Sequence, residues 1–452
     1  MPHSRVISFW RKLFFSSLLI GGVLFLDQSW SQVTPGTTSN LKTKKPQRRI
    51  VRAVPVLRSY YELFFGLQAS PFNIDGIDAS NRLLELPKEK YFLELRPNWT
   101  YERNPREKFI VRARALVDST RIQYKSPEDS RTKTQSKLDL SDAFYELLTT
   151  RSSKIVAGLH TYQWGQAELL NVSNPLFHFN TQQRTTFYKE KGLVLLRANV
   201  DWSETFNQVL IAEALSNNEA SWVAEEDFRP QFLTKLELTS QDQLHSFGLV
   251  LGSEKRGKAF IGEYFSYSPW EGVSFYADAR QTFGVTSYSP VVQDSFTVLA
   301  YDDTKKSPQT MALAGFRYEN SWLDFRTEYF YNQPGWNKEQ FKSAVQAIQT
   351  FSPYLAMNFN RFSHPGLELM GQQYLYNSMR FINLGHQGDM SAAARLLTSL
   401  QDSSKVLQTS FDTSLGDHLE VSLSATIGQG ERLSELNFLG QSLYQAGFRL
   451  SF

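Results

Sequence analysis

The chain has 452 residues, room for one large barrel or two to three ordinary domains. Its 48 Lys and Arg against 45 Asp and Glu leave a net charge of +3, too small to argue for nucleic acid, and the absence of Cys excludes disulfides, thiolate metal sites and thiol nucleophiles. Aromatic residues reach 14% while mean hydropathy is -0.37, too polar for a bundle of membrane helices but suited to a membrane barrel, which needs aromatic girdles and tolerates a polar residue at every second strand position.

In chain order, Arg5, Arg11 and Lys12 form a basic start, residues 13–26 are an apolar run, and Ser29-Trp30-Ser31 offers small residues where a signal peptidase reads. The run is short for a spanning helix. Residues 1–31 therefore read as a cleavable secretory signal, and no later stretch resembles a helical anchor. The lack of Cys suits passage through an oxidising periplasm. Residues 32–55 carry Lys42, Lys44, Lys45, Arg48, Arg49 and Arg52 without apolar periodicity. They read as a flexible periplasmic leader, either a solvated linker or a contact to anionic lipid or cell wall.

From residue 56 to 452 the chain alternates in segments of about ten residues, the signature of membrane strands. In residues 91–103, Tyr91, Leu93, Leu95, Trp99 and Tyr101 share one face, with Glu94, Arg96, Asn98 and Glu102 on the other. Val111, Ala113, Ala115 and Val117 oppose Arg112, Arg114 and Asp118, and Val194, Leu196, Ala198, Val200 and Trp202 oppose Arg197, Asn199 and Asp201. Leu323, Phe325, Tyr329 and Tyr331 oppose Asp324, Arg326, Glu328 and Asn332, and residues 418–428 repeat the pattern. Short turns are expected at 104–107, 151–153, 203–205, 240–243, 268–271, 319–321, 386–389 and 415–417. The longest loops are expected at 69–90, 165–191, 284–309 and 333–365. Short turns at one rim and long loops at the other are the asymmetry of outer-membrane barrels. The layout gives an antiparallel up-and-down transmembrane β-barrel of about eighteen strands, with sixteen as the alternative count.

The last segment, residues 443–452, ends on Phe. Tyr444, Ala446, Phe448, Leu450 and Phe452 alternate with Gln445, Gly447, Arg449 and Ser451. Gln445, Gly447, Leu450 and Phe452 stand at the offsets of an assembly signal: an unpaired final strand must offer an amphipathic edge to the barrel-assembly machinery before it seals against the first. The expected setting is the outer membrane of a Gram-negative-type bacterium, with outer-membrane lipid around a monomer.

Residues 156–175 (VAGLHTYQWGQAELLNVSNP) carry Gly158, Trp164, Gly165, Glu168, Asn174 and Pro175. This resembles the strand-then-loop segment of porin-like proteins related to the alginate-export channels, in which a Gly-rich strand ends in Trp-Gly, an acidic residue follows and the loop carries Asn-Pro. Residues 326–335 (RTEYFYNQPG) are similar to a second strand of that group. The resemblance covers about thirty residues. It implies a monomeric channel of about eighteen strands for passive passage of a polar or anionic solute.

On the face opposite the apolar stripes, Arg96, Arg112, Arg114, Arg197, Arg280, Arg317 and Arg326 alternate with Glu94, Asp118, Asp201, Asp278, Asp324 and Glu328. These are the expected pore-lining groups, setting a transverse field and a hydrogen-bonding track. The alternative is that they pair across strands and fill a plugged interior. In residues 337–351, Phe341, Val345, Ile348 and Phe351 recur near helical spacing behind Asn337, a capping residue. Such a helix either folds into the pore or packs on the outer rim. His160, His245 and His418 stand in no nucleophile motif, and no His, Asp and Glu cluster has metal-ligand spacing, so neither catalysis nor a cofactor is expected. The sequence points to a channel for small polar or anionic solutes. The alternative is a plugged surface barrel whose long loops bind a partner.

Overall fold

The computed structural model describes residues 55–71, 85–124, 129–177, 191–215, 231–253, 258–285, 287–293, 296–300, 307–349, 367, 369–385, 387–431, 434–437 and 442–452. The expected signal peptide lies outside the described residues, as does all of the leader except Pro55. The strands are β1 (Val56–Ala69), β2 (Pro87–Asn104), β3 (Glu107–Gln123), β4 (Ser130–Leu148), β5 (Ser153–His160), β6 (Leu193–Asp201), β7 (Phe206–Leu215), β8 (Phe232–Thr239), β9 (His245–Ser253) and β10 (Ala259–Trp270). They continue with β11 (Val273–Phe283), β12 (Ser289–Gln293), β13 (Phe296–Ala300), β14 (Pro308–Glu319), β15 (Leu323–Asn332), β16 (Gln373–Leu384), β17 (Met390–Ser399), β18 (Lys405–Leu415), β19 (Leu419–Gln429) and β20 (Ser442–Ser451).

β12 and β13 form a separate hairpin; the other eighteen strands make one antiparallel sheet, each pairing with its neighbours along the chain. β1 pairs with both β2 and β20, so the sheet closes on itself. Closure leaves the sheet no first or last edge, which is what lets a sheet stand in hydrocarbon, where unpaired backbone groups cost several kcal/mol each. The strand count is eighteen.

Alternation sets the two faces. Leu93, Leu95, Val117, Leu196, Phe247, Phe265, Phe275 and Leu423 stand outward and exposed, a face that lipid covers. Trp202, Trp270 and Trp322 lie at or beside short turns, each more than half exposed, where an indole ring suits the membrane-water boundary. At the closing seam, Phe65 stacks on Phe448 at 5.4 Å and Tyr61 on Phe452 at 6.1 Å. Leu450 stands opposite Leu63, Gly447 opposite Gly66 and Gln445 opposite Gln68.

All eight expected short turns are present, with one displaced. β10 runs on to Trp270 through an irregularity after Tyr267, and the reversal falls at Glu271 and Gly272. Gly272 has φ +74°, and a Cβ there would meet the Glu319 carbonyl at 2.1 Å, so glycine fixes where the chain reverses. A larger correction concerns β5. The alternating pattern carries the eye to Trp164, but the strand stops at His160, so the Trp-Gly pair belongs to the loop. Gly158 has φ +127°. A side chain there would strike the Ala143 backbone, and two residues later the chain leaves the wall and turns into the barrel.

The expected helix is α1 (Lys338–Gln349). Asn337 caps it, accepting the Gln340 amide at 2.9 Å while the Gln340 side chain accepts the Asn337 amide at 2.9 Å. It packs with the β12–β13 hairpin: Ala344 clusters with Trp336, Tyr288, Leu299 and Leu367, and the Trp336 indole donates to the Tyr288 carbonyl at 2.9 Å. A second segment, the loop after β5, packs against inward side chains of the barrel wall.

Candidate functional site

Residues 164–177 lie inside the barrel against the inner wall of β6 to β17. Two apolar clusters seat them. Ala167, Leu169, Leu170 and Val172 pack on Tyr276, Leu313, Phe330, Tyr376 and Leu397. Trp164 and Phe177 pack on Leu195, Val209, Ile211, Val250 and Phe260. Gly262 lets the loop approach, since a Cβ there would lie 3.0 to 3.2 Å from Ser173.

Polar groups then fix the register. Glu328, on β15, accepts the Glu168 amide at 2.6 Å, the Leu169 amide at 2.8 Å and the Tyr276 hydroxyl at 2.5 Å. Asp278, on β11, accepts the Ser173 amide at 2.9 Å. Glu168 itself meets Arg326 at 3.4 Å and Arg395 at 3.5 Å and accepts the Ser378 hydroxyl at 3.3 Å. Inside the loop, the Trp164 indole donates to Ser173 at 3.0 Å, and Asn174 accepts the Leu176 and Phe177 amides at 3.1 Å each, closing the turn at Pro175. Gly165, at φ +90°, runs beside Asn171 and Asp278. Charge-assisted bonds of this kind contribute roughly 1.5 to 3 kcal/mol each, so the loop is fastened at several points.

The thirteen charged residues read from the sequence all stand on the inward face, but they meet different surroundings. Asp278 is 2% and Glu328 1% exposed, because the loop covers them. Arg280 is buried against the Met311 sulfur at 3.2 Å, and Arg197 lies over the Tyr162 ring at 4.2 Å. Arg317 and Arg326 share Asp324, at 2.9 and 3.0 Å. Asp201 sits by the short turn after β6 and accepts the Asn207 side chain. On the other side, Glu94 holds Arg96 at 2.7 Å and also Arg114, Arg96 covers the Phe64 ring at 3.8 Å, and Asp118 meets Lys90 at 3.7 Å. Arg112 pairs with Asp142 at 3.3 Å while 37% of its side chain stays accessible.

Arg395 and Asp142 went unread in the sequence, although each occupies an alternate inward position; Arg395 is the one charge in the run AAARLL. Further out, Glu435 accepts the Tyr374 hydroxyl at 2.5 Å and the Met370 amide at 2.8 Å, and Leu436 packs against the apolar cluster in which the inserted loop is seated. Loss of hydration pushes the Glu435 carboxyl up to about 7; Asp402 nearby adds to the rise, and the Tyr374 hydroxyl and backbone amides oppose it.

The histidines have structural surroundings. The His160 ring contacts the Gly158 carbonyl, that of His418 the Ser451 carbonyl, and His245 stacks on Tyr267. Among the described residues no group of three or more His, Cys, Asp or Glu is placed to hold a metal ion.

No family model matches the chain, and no curated protein matches it. Solved structures do. The chain shares its fold with OccAB1 of Acinetobacter baumannii (TM-score 0.55, 7% identity, 88% of this chain and 96% of that one). It shares it also with OccK2 (OpdF) of Pseudomonas aeruginosa in complex with glucuronate (0.53, 9%, 88% and 98%) and with OpdK of Pseudomonas aeruginosa with vanillate (0.52, 9%, 88% and 99%). The likeness is one of fold and does not single out the alginate-export group.

Proposed function

We propose that this chain is an outer-membrane channel for the passive passage of small polar solutes. One observation carries the reading: the inserted loop covers one side of the interior, while on the other Gln68, Ser410, Asp412, Ser424, Gln445 and Arg449 keep part of their surface accessible. A barrel packed solid by its loop would bury both sides, so the plugged alternative is the weaker one. The solved neighbours that hold glucuronate and vanillate are consistent with small-solute traffic through this architecture. An export signal over residues 1–31 and a final strand suited to the barrel-assembly machinery fit delivery to that membrane as a monomer. The finer kinship, with alginate-export channels, rests on residues 156–175 and 326–335, which in this fold are the inserted loop with its lead-in strand and the strand that clamps it.

Recording in a planar bilayer tests the proposal. The purified chain is expected to give discrete, stable current steps in KCl. A correctly folded barrel that inserts and passes no current would refute it.

A further inference from the structure

The free wall has a composition that its counts of charge conceal. Its arginines are matched, within the wall, by carboxylates: Glu94 holds Arg96 and Arg114, Asp142 holds Arg112, and Arg449 lies between Glu420 and Glu62. With Lys90, which stands beside Gln68, and its partner Asp118, five cations thus meet five anions at contact distance, and paired charges of opposite sign leave little field across the lumen.

Beyond these pairs runs a neutral row. Ser410 stands opposite Ser424, Ser424 opposite Gln445, and Gln445 opposite Gln68. One row thus crosses four adjacent strands, and all four side chains are half-buried, as befits groups at the edge of a solvent-filled space. With strands about 4.8 Å apart it spans roughly 14 Å. Ser424 donates to the Gln445 amide oxygen at 3.3 Å, and Ser410 accepts from Arg395 at 3.3 Å. The Gln amides both donate and accept, and the Ser hydroxyls rotate to do either. Such a row exchanges hydrogen bonds with water and with hydroxyl-rich solutes alike, and offers a carboxylate no unpaired cation.

We propose that the preferred solutes are uncharged and hydroxyl-rich, of the size of a simple sugar or sugar alcohol, passed along the Ser410–Ser424–Gln445–Gln68 row. This rests on the channel reading above. The test uses the full chain in liposomes with two probes of one ring size, glucose and glucuronate, and records KCl current in parallel. Glucose is expected to enter at least about threefold faster, with a zero-current potential near zero in a KCl gradient. The double substitution Ser424→Ala with Gln445→Ala should bring the glucose-to-glucuronate ratio down to about one. Faster entry of glucuronate, a strong anion preference, or a ratio that ignores the double substitution each overturns the inference while KCl current upholds the channel. If the double variant does not assemble, the comparison on the unaltered chain decides alone. Absence of both current and flux would instead bring down the channel reading.

Discussion

The two sides of this barrel are built from the same alternating strands and the same charged residues, and they use them in opposite ways. On the side of β6 to β17, Glu328 and Asp278 spend their lone pairs on backbone amides of the inserted loop. On the side of β18 to β4, Glu94, Asp142 and Glu420 meet arginines of the wall itself. An inward carboxylate is therefore not a pore-lining group by virtue of facing inward. What decides is whether its partner belongs to the loop or to the wall.

The contrast can be broken most forcefully by cutting the loop loose. Glu328→Gln together with Asp278→Asn removes both carboxylate clamps, and single-channel conductance should rise by about twofold or more as the constriction loosens. Unchanged conductance would mean that the apolar seat alone holds the loop. Next in size, Arg112→Glu with Arg114→Glu sets new anions beside Asp142 and Glu94. Ion preference should move several-fold toward cations, with the neutral pair Arg112→Gln and Arg114→Gln shifting it less. If neither variant alters selectivity in a conducting barrel, these arginines lie off the permeation path. Glu94→Gln is the converse experiment: it leaves Arg96 and Arg114 without their shared carboxylate and should turn the channel modestly toward anions, read from the zero-current potential.

The smallest expected effect is a pH dependence. The folded Glu435 value, about 7, lies above the ordinary carboxylate value of 4.5. The sign follows: docking of residues 434–437 is strongest below about pH 4.5, weakens as the pH rises toward 7, and carries the full penalty above it. Current noise should increase from pH 5 to pH 8 in the unaltered chain and stay flat in Glu435→Gln, which keeps an acceptor oxygen and loses the titration. Equal noise profiles would dissociate Glu435 from the loop's mobility.

The faces of the strands were legible because alternation is a local property: Val111, Arg112, Ala113 and Arg114 declare their sides without reference to anything distant. The strand count was legible for the same reason, since Gly, Asn, Asp and Ser punctuate each short turn. The loop was not. Residues 161–164 go on alternating after β5 has ended, and nothing near Glu168 in the sequence reveals that its amide bonds a carboxylate on β15. The helix α1 was readable from its spacing and cap, but its partners, Trp336 and the β12–β13 hairpin, were not, because amphipathicity names a buried face and not what buries it. The division of the charged residues into clamps and wall pairs required the loop's path.

The clamp also carries a consequence for time. Glu168 and Glu328 are 160 positions apart, and every strand from β6 to β14 that joins the sheet lies between them along the chain. Contacts of such separation form late, because the intervening chain must first be ordered. During assembly the segment destined for the lumen is therefore without its main ligand until β15 is in place, and the barrel passes through a stage in which its wall is well advanced and its passage still wide. A chain interrupted between β6 and β15 would lack the Glu328 clamp on the loop, so the seating of that loop is a property of the nearly completed molecule.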